Sequence, residues 1–175
     1  MSAPDDIAAT ALAMARRFVD GARMWCIAPG RLDHARHVAV EFVHPIGVGC
    51  RALPVFALSP DDDPMSEISV VVRHGDMVML IGRADDARLV ELRLSPWWRT
   101  SDTLTICLTW GPEPDATCQV AAADHVIALG GDGYAVEVDL VRAYHVLWEL
   151  VHVCLEHPDV LAVDVLSTDP VRLSA

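Results

Sequence analysis

Apolar residues along this chain fall into two rhythms. Over residues 5–20, Ile7, Ala11, Met14 and Phe18 recur at steps of four and three, the spacing of one helical face. The preceding "APDD" supplies a cap and first-turn acids. "RMWCIA" (23–28) then runs apolar without alternation and ends at Pro29–Gly30, which predicts a buried strand. "RLDHARHVAVEFVH" (31–44) returns to helical spacing and is broken by "HPIGVG". The same reading gives strands at "ALPVFAL" (52–58), "DMVMLIG" (76–82), "DTLTICLTW" (102–110) and "DHVIAL" (124–129). Between them lie a short helix within "MSEISVVVRHG" (65–75) and a weak helix over "ADDARLVELRLSPWW" (84–98). A long last helix runs from Tyr134 to about Glu156 and stops before Pro158. The tail from Asp159 is mixed, suited to an arm or a short strand.

Strands without polar alternation are covered on both faces, so five of them separated by helices predict a parallel sheet. The expected architecture is a doubly wound three-layer α/β sandwich, one domain over residues 1–175 with its core at about 5–157 and a tail at 158–175. Ligands in such sheets bind beyond the carboxyl ends of the strands at the switch in strand order. That singles out "APGR" after the first strand and "GRADD" after the third.

Composition narrows the function classes. Acids outnumber bases 25 to 13, a formal charge of −12, which excludes the basic stripe of a nucleic-acid groove. Five cysteines without a C-x-x-C pair read as reduced core thiols of a cytosolic protein, Cys26 among them. The acidic N-terminus is no signal peptide, and no apolar run reaches the roughly 20 residues of a membrane span. A cytoplasmic location is therefore expected.

Candidate chemistry sits on two helices. His37 and Glu41, one turn apart, share a helical face. They can hold a metal, move protons, or form a polar seam. On the last helix His145, Glu149, His152 and Glu156 are spaced 4, 3 and 4, one continuous face that can be a second metal stripe or, the favoured reading, the wet side of an amphipathic helix opposite Leu147, Val151 and Leu155. Trp97 and Trp98 are adjacent and cannot share a face, so one is expected in the core and the other at a surface.

The phrases "FVDGARMWCIAPG", "HARHVAVEFVHP", "CRALPVFALS", "GDMVMLIG", "DTLTICLTWG", "ADHVIALGG" and "VEVDLVRAYHVLWELVHVCLEH", in that order, resemble the sugar isomerase (SIS) domain family. The likeness is to its phosphoheptose isomerase branch, and it spans residues 5 to 157. It implies the SIS fold with a flavodoxin-like strand order, and aldose–ketose isomerisation of a sugar phosphate such as sedoheptulose 7-phosphate. It also implies homo-oligomers, dimers or tetramers, built through the first and last helices, or pairing with a paralogous SIS subunit.

In metal-containing members a His and a Glu of the second helix meet a Gln and a His eight residues apart on the last. Those positions here are His37, Glu41, Glu137 and His145. An alignment anchored on "GYA" sets Leu147 in place of the histidine. Two imidazoles and two carboxylates suit zinc or another divalent ion. Glu41 is then the expected base and His145 the acid, although Glu137 and His145 stand about 80° apart around an ideal helix. The family's phosphate loops depart here: "IAPGR" keeps only Gly30, and "GRADDA" offers two aspartates in place of hydroxyls. Arg31 and Arg83 remain as candidate anion-binding groups. A non-catalytic SIS subunit acting in binding or scaffolding is the alternative.

Overall fold

A computed structural model describes residues 3–45, 51–59, 64–112, 123–131 and 133–162. Each predicted strand forms: β1 Met24–Ile27, β2 Val55–Leu58, β3 Met77–Arg83, β4 Leu104–Trp110 and β5 His125–Leu129. They make one sheet in the order β2-β1-β3-β4-β5 with every neighbouring pair parallel, the flavodoxin-like order. Seven helices are described: α1 Ala3–Val19, α2 Leu32–Val43, α3 Pro64–Val71, α4 Ala87–Leu94, α5 Trp97–Thr100, α6 Gly133–Glu156 and α7 Pro158–Leu161. None of the described helices is long and apolar enough to cross a membrane.

The continuous apolar strands are explained by two cores. On β3, Met77, Met79 and Ile81 enter one core with Met14 and Phe18 of α1, Val38 and Phe42 of α2, and Leu140 and Leu147 of α6. The intervening Val78 and Leu80 enter the other, with Ile68 of α3, Leu89 and Leu92 of α4, and Trp98 of α5. The period-two pleat thus feeds a helical layer on each side.

The expected helix over 84–98 divides at Ser95–Pro96, because proline disfavours the helical conformation in the residue before it. Trp98 is buried, its indole N–H donating to the Leu92 carbonyl at 2.6 Å. Trp97 packs, partly covered, against the same core. The tail begins as the short helix α7, and the rest of that expected arm or strand lies outside the described residues.

The α6 stripe departs from expectation. Glu149 and Glu156 are exposed, but His152 is buried. Its Nδ1 lies 2.9 Å from the Trp148 carbonyl and its Nε2 3.3 Å from the Arg51 carbonyl, and its ring packs near Phe42. The residues leading into β2 cover this part of α6, a long-range contact that helical spacing does not report.

At the end of the sheet opposite the switch-point loops, Asp76 binds β1 and the end of α3 to the start of β3. Its buried carboxylate accepts from Arg23, Trp25 and the Arg73 backbone. Burial pushes its pKa up, but these hydrogen bonds outweigh that and bring it below the ordinary aspartate value.

Candidate metal and acid–base site

β1 and β3 are neighbours, yet the helices that come after them cover opposite faces of the sheet, which opens the switch-point crevice at their carboxyl ends. The turn after β1 closes with the Arg31 N–H on the Ala28 carbonyl at 2.9 Å. It passes through Gly30 at φ +69°, a left-handed conformation that favours glycine although nothing crowds a Cβ there. α2 then starts without a side-chain cap.

α2 and α6 pack side by side, and their facing stripe is polar. His37 Nε2 lies 3.3 Å and His145 Nε2 3.4 Å from the same Glu41 oxygen, Oε1. The three potential ligand atoms all lie within 4.8 Å of one another. His37 and Glu41 meet because they are one turn apart; His145 is brought to them by packing between helices.

Each imidazole is oriented through its other nitrogen. His145 Nδ1 donates to the Val141 carbonyl at 2.7 Å, leaving Nε2 directed at Glu41. His37 Nδ1 is 2.8 Å from the Tyr144 hydroxyl. Tyr144 is buried, and its ring lies against His37 and His145. Burial first, then the negative charges of Glu41, Asp33 and Glu137, push its pKa up to about 12, so the phenol stays neutral.

The donor set fits a divalent ion. Ligands on tetrahedral zinc, at bonds of about 2.0–2.1 Å, stand roughly 3.4 Å apart. The two imidazole–carboxylate separations already match that edge. Two histidines, one carboxylate and an open fourth position are a catalytic rather than a structural pattern, and ligating imidazoles usually engage a partner through the second nitrogen, as both do here.

Glu137, the expected fourth ligand, stands apart from this group. Both of its oxygens accept from Arg31 Nη2, at 2.6 and 2.7 Å, and His34 Nε2 is 3.0 Å away. The Arg31 hydrogen bond, against a smaller effect of burial, holds its carboxyl below the usual glutamate range. Arg31 itself is thus engaged at the mouth of α2. Arg83 is clamped by Asp85 at 2.9 and 2.8 Å, and its guanidinium lies over Gly111, beside an open cavity of 520 Å³ lined also by Pro112, Leu129, Gly130 and Gly131. Asp86 caps α4, accepting from the Arg88 and Leu89 amides. The helix end that would cradle a phosphate therefore already holds a carboxylate.

Sequence reasoning passed over His34 and Tyr144. His34 stands three residues before His37 and seven before Glu41, a one-face spacing that would have flagged it. Tyr144 carried no such signal, because its value lies in what α2 brings to it.

No family model matches the sequence, and no curated protein matches it. Solved structures do. The chain is similar to a phosphoheptose isomerase from Francisella tularensis at a TM-score of 0.69 and 15% identity, over 85% of this chain and 86% of that one. It is similar to the phosphoheptose isomerase GmhA from Neisseria gonorrhoeae at 0.64 and 13%, over 84% and 85%. It is also similar to the sugar isomerase domain of an RpiR transcription factor from Sphaerobacter thermophilus, at 0.58 and 13%, over 87% and 81%. Together with the sheet order, these likenesses establish that the chain has the sugar isomerase (SIS) fold.

Proposed function

We propose that the chain is a phosphoheptose-isomerase-like SIS protein. In this reading it interconverts the aldose and ketose forms of a sugar phosphate, of the sedoheptulose 7-phosphate kind, by acid–base chemistry at His37, Glu41 and His145. The convergence of these groups from two helices on one point carries the reading. Likeness in fold to two phosphoheptose isomerases supplies the substrate class.

An aldose–ketose shift needs a base for the proton on the carbon beside the carbonyl, and an acid for the carbonyl oxygen. Both imidazoles address Glu41 through Oε1, so Oε2 is left to take the carbon-bound proton and return it to the neighbouring carbon. In the metal-free protein His145, its Nδ1–H kept on the Val141 carbonyl, delivers a second proton carried on Nε2 to the substrate oxygen. His37, fixed by Tyr144, holds Glu41 in place. If His37, Glu41 and His145 held a zinc or similar ion, His145 Nε2 would be a ligand, and Lewis-acid polarisation of the substrate oxygens would take the place of its proton delivery. Self-association as a dimer or tetramer belongs to the same reading, supported by exposed Val40 on α2 and exposed Val146 and Val153 on α6. So does a cytoplasmic location, supported by the buried thiols of Cys26, Cys107 and Cys154.

One set of contacts favours a second reading, a non-catalytic SIS subunit for binding or scaffolding. Asp85 on Arg83, Asp86 on α4 and Glu137 on Arg31 fill the positions a phosphate would use.

The test combines metal analysis of the purified protein with NMR detection of solvent deuterium entering the sugar phosphate at the carbon beside the carbonyl. The isomerase reading expects a bound divalent ion, and exchange that falls about 10²- to 10⁴-fold in Glu41→Gln. Wild-type protein with neither metal nor exchange overturns it in favour of the scaffold.

A further inference from the structure

The hydroxyl-rich loops of a phosphate site are missing here, yet one cationic corner survives at the switch point. Arg31 begins α2 and His34 lies one turn on, both directed at Glu137 of α6. The three groups form a triangle that cannot be fully satisfied. His34 Nε2 stands 2.8 Å from Arg31 Nη2 and 3.0 Å from Glu137 Oε2. A single ring nitrogen cannot accept from the guanidinium and donate to the carboxylate at once, so one side of the triangle is always left without a bond.

We propose that Arg31 and His34 form an anion-binding corner that Glu137 occupies in the unliganded protein, and that the phosphate group of a substrate binds by displacing this carboxylate. The inference deepens the isomerase reading and rests on it only in calling the anion a substrate group.

Four features support the exchange. His34 is buried, with 7% of its side chain exposed, so its Nε2 is held in position, whereas Arg31 and Glu137 are at 37% and 36% and can be reached from solvent. A phosphate presents several terminal oxygens, so Arg31 and a protonated Nε2 can each donate to a different one, which removes the conflict in the triangle. The N-terminus of α2 carries no side-chain cap, and its dipole adds positive potential at the same corner. The alternative corners are closed from within, Arg83 by Asp85 and α4 by Asp86.

Inorganic phosphate is the probe, titrated by calorimetry into the intact protein. Glu137→Gln removes the competing carboxylate while keeping its size, and is expected to bind phosphate at least about tenfold tighter than wild type, the equivalent of roughly 1.4 kcal/mol. Adding Arg31→Gln should cancel that gain. Equal affinity in wild type and Glu137→Gln, or a gain that survives Arg31→Gln, overturns the proposal. Should Glu137→Gln fail to fold, nitrogen-15 NMR of the His34 ring in wild type decides the matter. Saturating phosphate must move the Nε2 signal, and an unmoved signal counts against the corner. Metal analysis and deuterium exchange on the same samples keep the two readings separate. A phosphate gain with neither metal nor deuterium exchange sinks the isomerase and spares this site, while exchange without a phosphate gain does the reverse.

Discussion

Replacing Asp76 by asparagine tests a buried carboxylate that accepts five hydrogen bonds. Oδ1 accepts from the Arg23 amide at 3.1 Å and from Arg23 Nε at 3.3 Å. Oδ2 accepts from Arg23 Nη2 at 2.6 Å, Trp25 Nε1 at 3.1 Å and the Arg73 amide at 2.9 Å. An asparagine side chain turns one of these oxygens into a donor, so whichever way it lies, at least two of the five donors face an NH₂. A buried donor left unpaired costs about 1–3 kcal/mol, and breaking a buried ion pair about 3–5 kcal/mol. Arg23 keeps the Val71 carbonyl at 3.0 Å and is a quarter exposed, so water and that acceptor recover part of the loss. The expected destabilisation is about 3 kcal/mol, a fall in Tm of roughly 6–12 °C for a chain of this size. Urea unfolding should show a lower midpoint at unchanged slope. Because the folded pKa of Asp76 is depressed, its contribution is present above the unfolded value of about 3.9 and is lost as pH falls through the lower folded value. The gap between wild type and variant should therefore narrow on acidification. A gap under about 1 kcal/mol at neutral pH, or one that widens toward acid, refutes the reasoning.

Three further outcomes are expected. Tyr144→Phe removes the hydroxyl that orients His37 and should weaken divalent-ion binding by about 10- to 100-fold with the far-ultraviolet circular dichroism unchanged; unaltered affinity by competition with a chelating dye would remove Tyr144 from the site. Tyr144 should ionise only near pH 12, measured by ultraviolet titration of Tyr134→Phe, which leaves a single tyrosine; ionisation near the free value of about 10 contradicts its burial. Asp86→Ala strips the cap from α4 and should cost about 1 kcal/mol in denaturant unfolding, a loss that a stabilising anion such as sulfate partly restores; indifference to the anion shows that the freed helix end binds none.

The architecture was largely written in the sequence, because it rests on local signals. Continuous apolar runs such as "MVMLIG" and "LTICLTW" can be buried only between two helical layers, and the breaks at Pro29–Gly30 and His44–Pro45 end their elements by backbone chemistry alone. The pairing of His37 with Glu41 was equally legible, since a helix fixes residues four apart on one face. Features that depend on contacts between distant parts of the chain were not legible. Tertiary packing set Tyr144 against His37, buried His152 beneath the residues before β2, and drew Glu137 to Arg31 and His34 rather than to the His37 cluster. Spacing along one helix gives the direction of a side chain but not the charge waiting on its neighbour. At that range a guanidinium 2.6 Å away decides where a carboxylate points.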